Sequence, residues 1–186
     1  MGIILLLIVG FVVVGVAGAG VSIYNNLVRL RFNIDKSWAN IDVLLKQRHD
    51  ELPKLIDTCK GYLKYEQTLL ERLTAARSAF MNAPTADKKV VAENEIGRLL
   101  KSVFAVAENY PDLKANQNFM QLQSRISSLE NNIADRRELF NESVNLYNIK
   151  IHQFPDLFFA GMLGYQERHL LEIPKEETQD VKVDLS

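Results

Sequence analysis

The sequence predicts an all-α protein: an N-terminal transmembrane helix that continues into an antiparallel bundle of three or four long helices. Three observations carry that prediction. Residues 1–28 hold no charged side chain, and residues 3–23 are almost wholly apolar. Beyond them, apolar residues recur at steps of three and four, which marks one buried face of a helix. Five of the nine glycines lie within residues 1–24, while Pro53, Pro84, Pro111, Pro155 and Pro174 punctuate the rest.

The apolar run comes first. Bilayer hydrocarbon is roughly 30 Å thick, so about 20 helical residues cross it. Lipid offers no partner to backbone N–H and C=O groups, so the segment must close its own hydrogen bonds as a helix. Residues 1–24 are therefore read as a transmembrane anchor. A cleavable signal peptide is the rival reading, because Ala17-Gly18-Ala19 has the shape of a cleavage site. Against it, no Lys or Arg precedes the run, and the run exceeds the usual apolar core of about 7–15 residues. Arg29, Arg31, Lys36, Lys46 and Arg48 follow closely. Positive flanks favour the cytoplasm, so the N-terminus is expected outside and the remaining chain inside. A lone cysteine, Cys59, forms no disulfide within the chain and agrees with a reducing compartment.

The remaining stretch of about 160 residues suffices for one domain with a real core. Its expected limits are 25–166 for the bundle and 167–186 for a flexible acidic tail. The first stripe runs Leu27, Leu30, Ile34, Trp38, Ile41, Leu45, then Leu52, Leu55, Cys59, Leu63, Leu70 and Leu73, with Arg48 on it. Pro53 lies in its middle. A proline inside a helix costs about 3 kcal/mol, yet is well tolerated as the first residue of a new one. The stripe keeps its phase across Pro53, which favours one long kinked helix; a reversal at residues 49–52 stays open.

The first clear break is Met81-Asn82-Ala83-Pro84-Thr85, after which Thr85 or Asp87 caps a helix carried by Val90, Val91, Ile96, Leu99, Leu100, Val103, Phe104 and Val106. Asn109-Tyr110-Pro111-Asp112 ends it. The last long helix starts near Ala115 on the stripe Phe119, Leu122, Ile126, Leu129, Ile133, Phe140, Val144, Tyr147 and Ile151. Residues 154–165 are the most apolar part of the soluble chain. They read either as a cover closing the bundle's end or as an interfacial segment dipping into lipid beside the anchor. Residues 172–186 carry five acids and two lysines, the composition of a flexible tail.

Chemistry is sparse. The net charge of -1 supplies no field for nucleic acid or ionic substrates. None of His49, His152 and His169 has a His or Cys three or four residues on, and His49-Asp50-Glu51 holds a metal only if other helices supply ligands. A polar cap or end-of-bundle contact is the expected role of His49. No phosphate loop, nucleophile elbow or H-E-x-x-H occurs. Cys59, on the apolar stripe, is expected to be an inert core thiol. No catalytic, cofactor or metal residue is expected.

Polar residues on seams stand out. Arg48 lies on the first stripe, and Glu130 and Arg137 share a face of the last helix. A charge in a bundle core is costly unless paired. The expected network joins Arg48 to Glu130, and Arg137 to a carboxylate such as Asp42, and sets helix register; the alternative is that these side chains reach out to the rim. In the anchor, Gly15 with Ala19 and Gly18 with Ser22 make small-residue pairs that allow close helix approach in lipid. Homo-oligomer contacts are expected there.

Particular runs resemble the LemA family of bacterial membrane proteins. They include Tyr24-Asn25-Asn26-Leu27-Val28-Arg29-Leu30-Arg31, Ser37-Trp38-Ala39-Asn40-Ile41-Asp42-Val43, Arg48-His49-Asp50 up to Pro53, and Tyr110-Pro111-Asp112-Leu113-Lys114-Ala115-Asn116. Ser128-Leu129-Glu130-Asn131, Arg137, Phe140-Asn141 and Tyr147-Asn148 extend the likeness to residue 166 or so. Glu51 and Lys54 depart from it, standing where the family usually has an apolar residue and an Asn; Asp135-Arg136 replaces a small apolar pair. The resemblance implies an anchored cytoplasmic bundle at a bacterial inner membrane and brings no established reaction. One related member works in building magnetosome membranes, which implies scaffolding or membrane remodelling by analogy. The expected function is a structural or interaction protein, a self-associating scaffold linked to membrane remodelling or envelope maintenance. Its partners are the lipid bilayer and further copies of itself, not nucleic acid. The alternative is an enzyme or a metal- or cofactor-binding bundle. That needs convergent acids and histidines on facing helices, and the two Glu-x-x-His motifs of ferritin-like sites are missing.

Overall fold

Helix α1 spans Gly2–Lys60, 59 residues without interruption. It is followed by α2 (Gln67–Met81), α3 (Ala86–Ala107), α4 (Pro111–Lys114), α5 (Gln117–His152) and α6 (Asp156–Met162). The structure, a computed structural model, describes residues 1–171, with only the backbone at Ala86 and Asp87. Residues 172–186 of the expected tail lie outside the described residues. Among the described residues every regular element is helical, so the fold is the all-α one the sequence predicts.

Pro53 does not end α1, whose helical bonding runs on to Lys60. The loss of the proline's N–H leaves the carbonyl of His49, four residues back, without its helical donor. Arg77 of α2 supplies one instead: its Nε donates to the His49 oxygen at 3.1 Å. A neighbouring helix thereby makes a mid-helix proline tolerable.

The chain breaks where the sequence reading continued the stripe. Residues 61–66 form turns, so Leu70 and Leu73 belong to α2 rather than to the first helix. Tyr62 and Leu63 both donate their N–H groups to the Cys59 carbonyl, at 3.0 and 2.8 Å. Gly61 favours this exit, since glycine costs about 1 kcal/mol relative to alanine inside a helix. Leu63 in the turn is fully buried along with Cys59 and Leu70. The apolar phase therefore survives the reversal. Thr85 caps α3, its hydroxyl accepting from the Lys88 N–H. Val91, expected on the buried face of α3, is exposed, and Ala92, Ile96, Leu100, Val103 and Ala107 form that face.

Two compact units result. One is built on Asn40–Arg137. In it α1 and α5 run antiparallel, as Arg48–Glu130, Glu51–Arg125 and Tyr62–Asn116 pair in opposing order. Arg72–Glu95, and Lys89 over the Phe80 ring, set α2 against α3 the same way. The unit is an up-down-up-down four-helix bundle, with Leu45, Leu52, Leu55, Leu73, Leu100, Phe119 and Ile126 in its core.

The other unit joins Met1–Ala39 to Glu138–Leu170. Ser37 meets Ser143 at 3.4 Å, the Trp38 and Phe140 rings stand edge-on at 6.0 Å, and Phe159 reaches Gly20. These helices are also antiparallel, with Leu27, Ile34, Val144, Tyr147 and Ile151 buried between them. After α6 the backbone turns at Gly164, whose φ of 69° is costly for any residue with a Cβ. The chain then returns along α5. Tyr147 Oη donates to the Gln166 carbonyl at 2.9 Å, and Asn148 exchanges two hydrogen bonds with the Arg168 backbone.

Candidate functional site

Residues 1–19 are exposed along their whole length. Gly15 and Gly18 have open space where a Cβ would stand, and Ala19 and Ser22 are exposed. None of these four positions is packed within the chain. Gly20 differs: a Cβ there would lie 3.1 Å from the Phe159 ring.

The polar residues of the bundle unit converge on one buried centre. Arg48, His49 and Glu93 are each less than 5 % exposed. The Glu93 carboxylate accepts from Arg48 Nη2 through one oxygen and from His49 Nε2 through the other, the latter at 2.5 Å. Arg48 Nη1 also donates to Glu130 Oε1 at 3.2 Å. The His49 ring stacks on Phe80 with centroids 3.9 Å apart. Lys89 stands 5.4 Å over that Phe80 ring and pairs with Asp42 at 2.9 Å, so this aspartate belongs to a partly exposed pair. Arg137 is buried on α5. With Arg77 on the His49 carbonyl, the cluster ties α1 to α2, α3 and α5.

Burial, then the adjacent Arg48 charge, pulls the His49 pKa down to about 4. The geometry agrees. Nδ1 is buried with no hydrogen-bond partner, so a second proton would have no acceptor, and Glu93 is already engaged by Arg48. His49 is thus a neutral imidazole that donates from Nε2. Burial likewise pushes the Cys59 thiol up to about 12, which leaves it un-ionised and unreactive at neutral pH.

His49 is therefore a core residue, not the cap or end-of-bundle contact that local sequence implied. Glu93 was not anticipated at all. Both carried a signal: Glu93, Ile96, Leu100, Val103 and Ala107 step by three and four, as do Leu45, His49, Leu52 and Ile56. A polar residue on such a stripe is buried with the rest of it. Among the described residues no three His, Cys, Asp or Glu side chains stand together as metal ligands. The cluster's carboxylates, Glu93 and Glu130, instead face the Arg48 guanidinium, and with the neutral His49 donating to Glu93 the centre is a lock between helices. Breaking such a buried pair costs about 3–5 kcal/mol.

Comparison with known proteins adds the following. The family described as LemA family matches residues 37–185. Protein LemA of Metamycoplasma hominis is 30% identical over 159 residues, covering 84% of this chain and 72% of that protein. Magnetosome protein MamQ 2 of Paramagnetospirillum magneticum is 20% identical over 182 residues, covering 83% of this chain and 67% of the relative. Magnetosome protein MamQ of Magnetospirillum gryphiswaldense is 20% identical over 169 residues, covering 77% and 62%.

Proposed function

The chain belongs to the LemA family, and on that premise we propose a membrane-anchored structural and interaction protein without enzymatic activity. It is a self-associating scaffold at the cytoplasmic face of a bacterial inner membrane. The coarse part, a membrane-associated helical protein, follows from the family together with one described helix long and apolar enough to cross a bilayer. The observation that carries the finer reading is the unpacked small-residue face of α1. Gly15 and Gly18 have nothing within 4 Å where a side chain would stand, which leaves room for the same helix of a second copy. The basic residues from Arg29 to Arg48 support a cytoplasmic domain. By analogy with the two relatives named magnetosome proteins, the proposal extends to membrane remodelling or envelope maintenance.

The test is particle mass in mild detergent and cross-linking in native membranes. Gly15→Ile with Gly18→Ile should reduce the assembly. An unchanged particle size, or a wild type that is already monomeric in both settings, would overturn the self-association. For topology, a Ser186→Cys chain in intact cells should resist a membrane-impermeant thiol reagent; labelling would place the domain outside.

A further inference from the structure

Helix α6 and its flanks expose apolar side chains that the fold leaves uncovered. Phe154 is 76% exposed, Phe158 64% and Met162 84%, with Leu157 and Leu163 also open. An apolar patch of this kind marks an interaction surface. The charge pattern fits one sort of neighbour. The acid of α6, Asp156, is turned inward, 2% exposed, and paired with Lys150 at 3.2 Å. Leu157, Phe158, Gly161 and Met162 therefore face outward with no charge among them.

The position of α6 names the neighbour. Phe159 packs on Gly20, where a Cβ would crowd its ring at 3.1 Å. Gly20 lies three residues before the end of the apolar run 3–23. At about 1.5 Å per residue, that is about 5 Å inside the end of the span. Interfacial helices bury their apolar face about 5–10 Å into the boundary between headgroups and acyl chains. The two depths agree.

We infer that residues 154–163 form a second membrane contact. Phe154, Leu157, Phe158 and Met162 insert among the acyl chains of the leaflet that the C-terminal end of the anchor crosses. This rests on α1 spanning the bilayer and adds to it. The protein then meets the membrane through a spanning helix and an interfacial wedge beside it. The wedge holds the C-terminal end of α5 at the lipid surface.

Trp38 is the chain's single tryptophan, so the full chain carrying Trp38→Phe is dark and accepts one reporter at a time. Phe158→Trp and Met162→Trp place it at exposed sites of α6, and Phe11→Trp places it within the anchor. Each chain is reconstituted in phosphatidylcholine–phosphatidylglycerol vesicles containing lipids brominated either near the carbonyl or near the chain end. The α6 reporters should lose emission chiefly to the shallow bromines, and the anchor reporter chiefly to the deep ones. If the anchor reporter is quenched while both α6 reporters respond only to aqueous acrylamide, the wedge is refuted and the anchor stands. If the α6 reporters resist lipid and acrylamide alike, protein covers them, a second copy being the obvious candidate, and the wedge is again refuted. An anchor reporter insensitive to brominated lipid would overturn both.

Discussion

Replacing Arg77 by methionine keeps the apolar stem of the side chain and removes its donors. The carbonyl of His49 then has neither the helical N–H that Pro53 lacks nor the guanidinium that substitutes at 3.1 Å. Leaving such a carbonyl unsatisfied costs about 1–3 kcal/mol. For a chain of this size each kcal/mol shifts the melting temperature by about 2–4 °C, so the expected fall is about 2–12 °C. The cause is isolated by a second substitution. Pro53→Ala returns an N–H four residues beyond His49 and gives its carbonyl an ordinary helical partner. In that background Arg77→Met should cost less than about 0.5 kcal/mol, a coupling within the range of about 0.5–3 kcal/mol found for residues that share a network. Urea and thermal unfolding of the four chains in detergent micelles, followed by far-ultraviolet circular dichroism, measures it. Equal costs in both backgrounds would show that the Arg77 guanidinium acts elsewhere and that the His49 carbonyl is satisfied otherwise.

Three further outcomes are expected. Glu93→Leu should lower stability by about 3–5 kcal/mol, because it removes the partner of a buried guanidinium, and adding Arg48→Met should recover part of the loss; additive losses in denaturant titrations would rule out a coupled pair. Stability should rise from about pH 4 to about pH 6.5 and level off above, since in that window the unfolded chain binds a proton at residue 49 that the folded chain, with its pKa depressed to about 4, does not. The His49 share is about 2–3 kcal/mol, and a His49→Gln chain with the same acid slope would disprove it. Arg137→Ala should cost about 1–3 kcal/mol because a partner would be left buried; an unchanged melting temperature would show that its burial carries no paired charge.

The sequence by itself determined the properties that belong to one segment at a time. The uncharged run before Arg29 sets an apolar helix, left uncovered over residues 1–19. The three–four spacing sets which faces of α1, α3 and α5 are buried, and Thr85 marks where α3 begins. Tertiary structure decided what depends on two segments at once. The reversal at residues 61–66 was hidden because Cys59, Leu63 and Leu70 keep the phase of a continuous helix through it. Glu93 is 45 residues from Arg48, and no local pattern couples the two. The carbonyl left open by Pro53 is closed by α2, and Gly20 has a purpose only once Phe159 arrives from the other end of the chain. Hydrophobic burial is nearly proportional to area and blind to direction, so a single helix's pattern records it. Hydrogen bonds, ion pairs and ring contacts need atoms placed to within a fraction of an ångström, and only the crossing of helices sets those distances.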